Sequence, residues 1–394
     1  ETDFMQSSFR FLTFYVIFLC LLGCEPASEN AAKEQAAVEV TNATDPMSGY
    51  PMLSLDRLMA PASYVAPQVS PDGQLISWIA PFEGAPNFYV AEVGDLEGAR
   101  AITHFSGAGV RATDVSGQVM YRWHFDSKHI VYPKDYDGDE NWDIHIVNVE
   151  TAEDRNLTPL PDKKVSIIAH GREHPDEVLI TIETFGKFDP DVYLLSLVTG
   201  EQELIQANEG SIAYLADNDL KIRLSISFNA EGGLDFFRFG PKGRVELFYQ
   251  VTAENMPALL NAVYQKVIRF DADNSKLYLY DANGRDKAAL VAIDMETGAI
   301  ELIAQDERVD MGGVLYHPVD YSVQAYATNW TRNTWTATDE SIAEDFKVLN
   351  TLHEGDWQVE SRSDDLNVWV VRYMAANKPI TFFMYDRPSQ SGVK

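Results

Sequence analysis

Seven times along this chain a short turn carrying an acidic residue is followed by a strand of alternating apolar residues. The first copy is Ser70-Pro71-Asp72-Gly73 ahead of Leu75-Ile76-Ser77-Trp78-Ile79, and the second is Phe125-Asp126-Ser127-Lys128 ahead of His129-Ile130-Val131-Tyr132. The others are His174-Pro175-Asp176-Glu177, Ala216-Asp217-Asn218-Asp219, Asp271-Ala272-Asp273-Asn274, His317-Pro318-Val319-Asp320 and Arg362-Ser363-Asp364-Asp365. Their mean spacing is about 49 residues, within the range of roughly 40–50 that a four-stranded propeller blade occupies. No helical repeat fits, because segments such as Lys276-Leu277-Tyr278-Leu279-Tyr280 alternate with the period of two of a half-buried antiparallel sheet.

A second marker runs in phase with the first. Thr199-Gly200 and Thr297-Gly298 each lie between two strand-like runs, Thr151 takes the same place in the second repeat, and Pro241-Lys242-Gly243 makes the turn in the fourth. The expected architecture is an all-β, seven-bladed β-propeller over residues 51–388. One segment departs from the strand pattern. Thr338 to Asn350 opens with a cap and acidic first turn and places Ile342, Phe346 and Leu349 on one face, which predicts a single helix inserted in the sixth blade.

The amino-terminal segment reads differently. After Arg10 comes an apolar run, Phe11 to Leu22, of about a dozen residues, where a membrane-crossing helix needs roughly 20. It has the layout of a signal peptide over residues 1–23, and Leu21-Leu22-Gly23-Cys24 resembles a bacterial lipobox, so Cys24 is the expected lipid anchor and the membrane an expected partner. Residues 24–50 are polar, alanine-rich and aperiodic, as a flexible tether requires. The expected location is the bacterial cell envelope, periplasmic or exported. Cys20 and Cys24 are the only cysteines, so the propeller must hold itself by packing rather than by disulfides. With 60 acidic against 31 basic residues the net charge is -29, which disfavours nucleic acid as a partner.

Three passages resemble the prolyl oligopeptidase family of serine peptidases, particularly its acylaminoacyl-peptidase branch. They are Val69 to Trp78; Tyr136-Asp137-Gly138-Asp139-Glu140-Asn141-Trp142-Asp143-Ile144-His145 with Asn156-Leu157-Thr158-Pro159; and the helix followed by Val359 to Asp365 and Phe383 to Arg387. The resemblance implies a propeller that precedes an α/β-hydrolase domain with a Ser-Asp-His triad and restricts which peptides reach it. No Gly-x-Ser-x-Gly nucleophile elbow occurs in the chain, so no catalytic residue is assigned and the chain alone is expected to be inactive. Residues 389–394 are expected to begin a linker to that hydrolase domain. The expected function is therefore a substrate-gating propeller, with a free-standing lipoprotein propeller that binds a peptide, glycan or envelope protein as the alternative.

Two further sets of residues carry chemistry. Asp135, Asp137 and Asp139 present oxygens on alternate residues, as calcium loops do, but no glutamate closes the set, and an Asp-Gly hairpin turn explains the same pattern. Trp330, Arg332 and Trp335 could line a binding rim, although tryptophans in propellers often pack blade against blade. The eight histidines show no zinc-binding spacing, and no cofactor is expected. The adjacent Glu-Glu pair with which dipeptidyl-peptidase members of the family hold a substrate's amino terminus is missing here, which puts that specificity in doubt.

Overall fold

The computed structural model describes residues 54–113, 119–136, 138–184, 187, 189–240 and 242–394. The segments expected to form a signal peptide and a tether, with Cys24, and Asp137 lie outside the described residues. Residues 61–394 form a compact unit, which holds all of the sheet structure among the described residues. Among the described residues no helix is long and apolar enough to cross a membrane.

Seven antiparallel sheets follow one another along the chain, each built from consecutive strands. They span residues 65–101, 122–156, 163–206, 213–251, 269–304, 311–337 and 356–393 and are called blades 1 to 7. Every repeated acidic turn joins the first, innermost strand of a blade to its second. In blade 1 the Ser70 hydroxyl donates to Asp72 Oδ1 at 2.6 Å and accepts from the Leu75 amide at 2.9 Å. Blade 7 repeats this with Ser363, Asp365 and the Val368 amide at 2.6 and 3.0 Å. The recurrent carboxylate is therefore a turn cap, satisfying amides that a tight hairpin leaves unpaired.

A left-handed residue sits in most of these turns, as Gly73, Ser127, Leu220, Asn274, Tyr321 and Leu366, with φ of 58–73°. Only the first copy uses glycine, whose missing Cβ makes that conformation cheap.

Burial follows the blade-on-blade logic. Seven apolar clusters occur, one at each interface between neighbouring blades, such as Phe88, Ile79 and Val90 of blade 1 against Tyr121, Trp123 and Ile130 of blade 2. Because blade 1 is made wholly by the start of the propeller and blade 7 wholly by its end, no strand crosses the seam between them. Side chains close the ring instead: Val69, Ile76, Trp78 and Ala91 pack on Val370. The Val69 amide donates to Ser361 Oγ at 2.9 Å and the Asp364 amide to Pro71 O at 2.8 Å.

Three details differ from the sequence expectations. Besides the expected helix, observed at Ala343–Leu352 after a 3-10 turn, a second helix runs over Met256–Tyr264 between blades 4 and 5. It starts with Pro257 in its first turn and buries only Leu259 and Ala262, a stripe too narrow to stand out within a strand repeat. Blade 6 has three strands, and the expected helix follows where other blades have a fourth. Residues 391–393, placed in a linker by the sequence, form the outer strand of blade 7, pairing Met384 with Val393 and Asp386 with Ser391.

Candidate functional site: a basic channel with one bolted mouth

In a propeller the first strands line the central axis. The turns after those strands mark one face of the ring, here called the turn face. The connections that enter each blade mark the opposite, loop face. The propeller begins at Val65 and ends at Val393 on the loop face, since both the first-to-second and the third-to-fourth strand turns belong to the other side.

The two mouths differ. At the turn face Arg172 of blade 3 reaches across the axis to Asp364 of blade 7, with Nη1 and Nη2 donating to the two carboxylate oxygens at 2.8 and 2.5 Å. Its Nη2 also donates to Pro318 O of blade 6 at 3.2 Å, and its guanidinium lies 4.7 Å over the Phe125 ring. A two-pronged arginine–carboxylate pair is the strongest form of charge-assisted hydrogen bond, and this one bolts blades on opposite sides of the ring.

At the loop face a cleft of about 440 Å³ opens between blades 2 and 3, with Arg111, Arg122, Lys164, Lys266, Trp142 and Val165 among its walls. Lys266, on the connection into blade 5, donates to Val119 O on the connection into blade 2 at 3.2 Å, so the cleft reaches over the axis. Behind it, a second cavity of about 260 Å³ is bounded by Arg122, His170, Asp217 and Arg269. Arg122 belongs to both and stands at their junction.

The inner cavity is basic. Arg269 stacks 3.9 Å over Tyr321 and leaves its Nε without a hydrogen-bond partner among the described residues. Asp217 is taken up by Arg223 Nη1 at 2.9 Å and by the amides of Asp219 and Lys221. His170, deep in the channel, is pushed down to about 4 from an ordinary 6.5, by burial first and then by the positive charges of Arg122, His124 and Arg172, against a hydrogen bond to Pro175 O. Its neighbour His124 is also buried, but Asp126 and Pro175 O outweigh that burial and raise its pKa.

These two rings pull stability in opposite directions as pH changes. Folded His170 binds a proton less readily than the unfolded chain does, so its contribution is present above about 6.5 and is lost as pH falls towards 4. That loss is on the order of 2 kcal/mol. His124 contributes fully below 6.5 and loses its contribution as pH rises through its raised folded value. His170→Gln is expected to flatten or reverse the decline in urea midpoint between pH 6.5 and 4. An unchanged acid limb would show that His170 does not titrate as its burial demands.

His124, Asp126 and His129 bring three ligand-type atoms within 4.8 Å of one another. Hydrogen bonds already account for them: His129 Nδ1 lies 2.7 Å from Asp126 Oδ2, the Asp126 amide donates to His124 Nδ1 at 3.2 Å, and His124 Nε2 lies 2.7 Å from Pro175 O. The group reads as a capped turn.

The residues singled out in the sequence do not come together. Asp135 and Asp139 sit on the loop between the second and third strands of blade 2. Asp135 accepts from the amides of Gly138 and Glu140 at 2.8 and 3.3 Å, and Asp139 from the amide and side chain of Asn141 at 3.0 and 2.7 Å. Trp335 is a packing residue: it stacks on Trp357 of blade 7 with centroids 5.9 Å apart and donates to Trp357 O. Arg332 is tied to Asp356 at 2.5 Å. Trp330 is 60% exposed at a hairpin tip, with Arg308 5.7 Å from its ring centre.

Sequence reasoning missed Arg122, Lys164, Arg172 and Lys266. A signal existed for the first: Arg122 lies between Tyr121 and Trp123, as Arg269 lies between Ile268 and Phe270, so superposing the repeats places charges on the first strand of two blades. The other three lie on a strand, a turn and a connection that only the closed ring brings together.

No family model matches the chain. Dipeptidyl aminopeptidase BIII of Pseudoxanthomonas mexicana is 30% identical over 358 residues, covering 91% of this chain and 50% of the relative. Dipeptidyl peptidase family member 6 of Caenorhabditis elegans is 23% identical over 335 residues, covering 82% and 44%. The chain thus spans about half the length of the curated relatives it matches.

Among solved structures, the propeller domain of the Trilobed protease of Pyrococcus furiosus, described as having an open velcro topology, superposes with a TM-score of 0.52 at 12% identity, over 82% of this chain and 92% of that one. A prolyl endopeptidase superposes at 0.56 and 10% identity, over 84% of this chain and 49% of that one. A puromycin-hydrolyzing peptidase of Mycobacterium tuberculosis does so at 0.54 and 11% identity, over 84% and 52%.

Proposed function

We propose that this chain, the β-propeller portion of a prolyl-oligopeptidase-family peptidase, admits short peptides to a serine-type hydrolase domain joined at its loop face. The observation that carries this is geometric: the propeller's two chain ends lie on the same face as the open cleft, while the opposite mouth is bolted by Arg172 and Asp364. A domain continuing the chain would sit over the cleft. The second helix, whose chain connections belong to the loop face, exposes Leu260 and Tyr264, 43% and 51% accessible, apolar surface that a neighbouring domain would cover.

Both curated relatives are named for dipeptide release, so dipeptidyl as well as acylaminoacyl substrates belong to the proposal. The reading also places the protein at the cell envelope through an acylated Cys24. Loss of membrane fractionation in Cys24→Ala tests that part.

The activity test compares this chain with the same chain continued by the sequence its gene encodes next, on short chromogenic acyl- and dipeptidyl-substrates. Hydrolysis confined to the longer protein is expected. Inactivity of both, or activity of the shorter chain alone, would overturn the proposal.

A further inference from the structure

The surface of this protein is acidic, yet the walls of the loop-face cleft carry four cations, Arg111, Arg122, Lys164 and Lys266, against one carboxylate, Glu140. The existing contacts of Arg111, Arg122 and Lys164 leave donors unspent. Arg111 lies 5.4 Å over the Trp142 ring and uses Nε on Thr113 O. Lys164 Nζ is 3.7 Å from Glu183, beyond hydrogen-bond length. Arg122 has no hydrogen-bond or ion-pair partner among the described residues, although it stands where the two cavities meet, and it is exposed to the channel. Trp142, Ile144 and Val165 give the same cleft an apolar wall.

A guanidinium with open donors beside two ammonium groups and an apolar wall is suited to a carboxylate attached to a peptide. Arg122 can grip both oxygens of a carboxylate, whereas a neutral amide offers one acceptor and no charge. From this juxtaposition we propose that the cleft binds a peptide through a carboxylate held by Arg122 and Lys164. The carboxylate is either the peptide's own carboxyl terminus or the side chain of an internal Asp or Glu. That the ligand is a peptide rests on the gating reading; that it is anionic rests on the cleft alone. In the full protein the site would favour peptides presenting negative charge towards the propeller axis.

Binding to the whole chain is measured by Trp fluorescence and calorimetry with three N-acetylated tetrapeptides of Gly and Ala. One has a free carboxyl terminus, one is amidated, and one is amidated with a single internal Glu. Inorganic phosphate serves as a fourth probe. At least one acidic peptide is expected to bind 10-fold or more tightly than the neutral amide, and which one it is identifies the carboxylate recognised.

Arg122→Gln is expected to abolish that preference. Lys164→Gln is expected to reduce it about 3-fold, and it stands as the second test should Arg122→Gln fail to fold. Equal binding of all three peptides, or a preference that survives both substitutions, overturns the proposal. So does phosphate that binds as tightly as the acidic peptides, which would show a general anion site. Failure of the peptidase assay with the preference intact removes gating and leaves the carboxylate site standing.

Discussion

Trp369→Ala is expected to lower the stability of the propeller by about 3–5 kcal/mol, the cost of deleting a large buried aromatic whose cavity cannot fully collapse. Trp369 is fully buried in blade 7, among Phe346, Trp357 and Val371 in the cluster that binds blade 6 to blade 7. Its indole Nε1 donates to Leu366 O at 2.8 Å, its ring meets Tyr385 edge-on at 5.7 Å, and Arg362 lies 5.3 Å over it. Removal would also orphan the carbonyl of a turn residue held at φ 60°. Blade 7 feels this more than an interior blade because no strand pairs across its seam with blade 1, which is held by side-chain packing and two hydrogen bonds. The check is the urea midpoint, with an unchanged slope if only the folded state is affected. A shift worth less than about 1 kcal/mol would mean that the blade repacks around the hole.

Asp345→Ala should be the next most severe, about 2–3 kcal/mol, because it strips the carboxylate from the partly buried Arg387 and from the Tyr385 hydroxyl at once instead of removing an ion pair whole. Asp345, in the helix Ala343–Leu352, is 3% exposed and accepts from Tyr385 Oη and Arg387 Nε, both at 2.8 Å. Those two partners lie in blade 7, so the carboxylate fastens the helix of blade 6 to its neighbour. Adding Arg387→Leu to Asp345→Ala should recover part of the loss, since the stranded charge goes with it. Strict additivity of the two substitutions would mean that they do not act as a pair.

How much of this was legible in the sequence depends on whether a feature repeats. The acidic turns were readable because the carboxylate caps its own hairpin within five residues in six of the seven described blades, as Asp72 and Asp126 do, so the physics is local and recurs. The helix containing Phe346 and Leu349 was readable for the same reason, its cap and apolar face being contiguous. Met256–Tyr264 was not, because its buried stripe is two residues wide and its role is set by the blades it bridges. The rim proposed from Trp330, Arg332 and Trp335 grouped neighbours in sequence that the hairpin sends to different surroundings, Trp335 to the Trp357 stack and Trp330 to solvent.

The channel residues show the opposite failure. Arg122, Lys164 and Lys266 are far apart in the chain and unremarkable alone, and only closure of the ring places them in one cleft.

The central claim, that this propeller screens peptides by access through its loop face, is tested most directly by length. With the chain continued by the sequence its gene encodes next, hydrolysis rates are measured on a series of peptides sharing one cleavable end, from about five residues to a folded protein of the same terminal sequence. The account expects kcat/KM to fall steeply once the peptide outgrows a cleft of about 440 Å³, with the folded protein uncut. Equal rates across the series would contradict it and remove gating as the propeller's role.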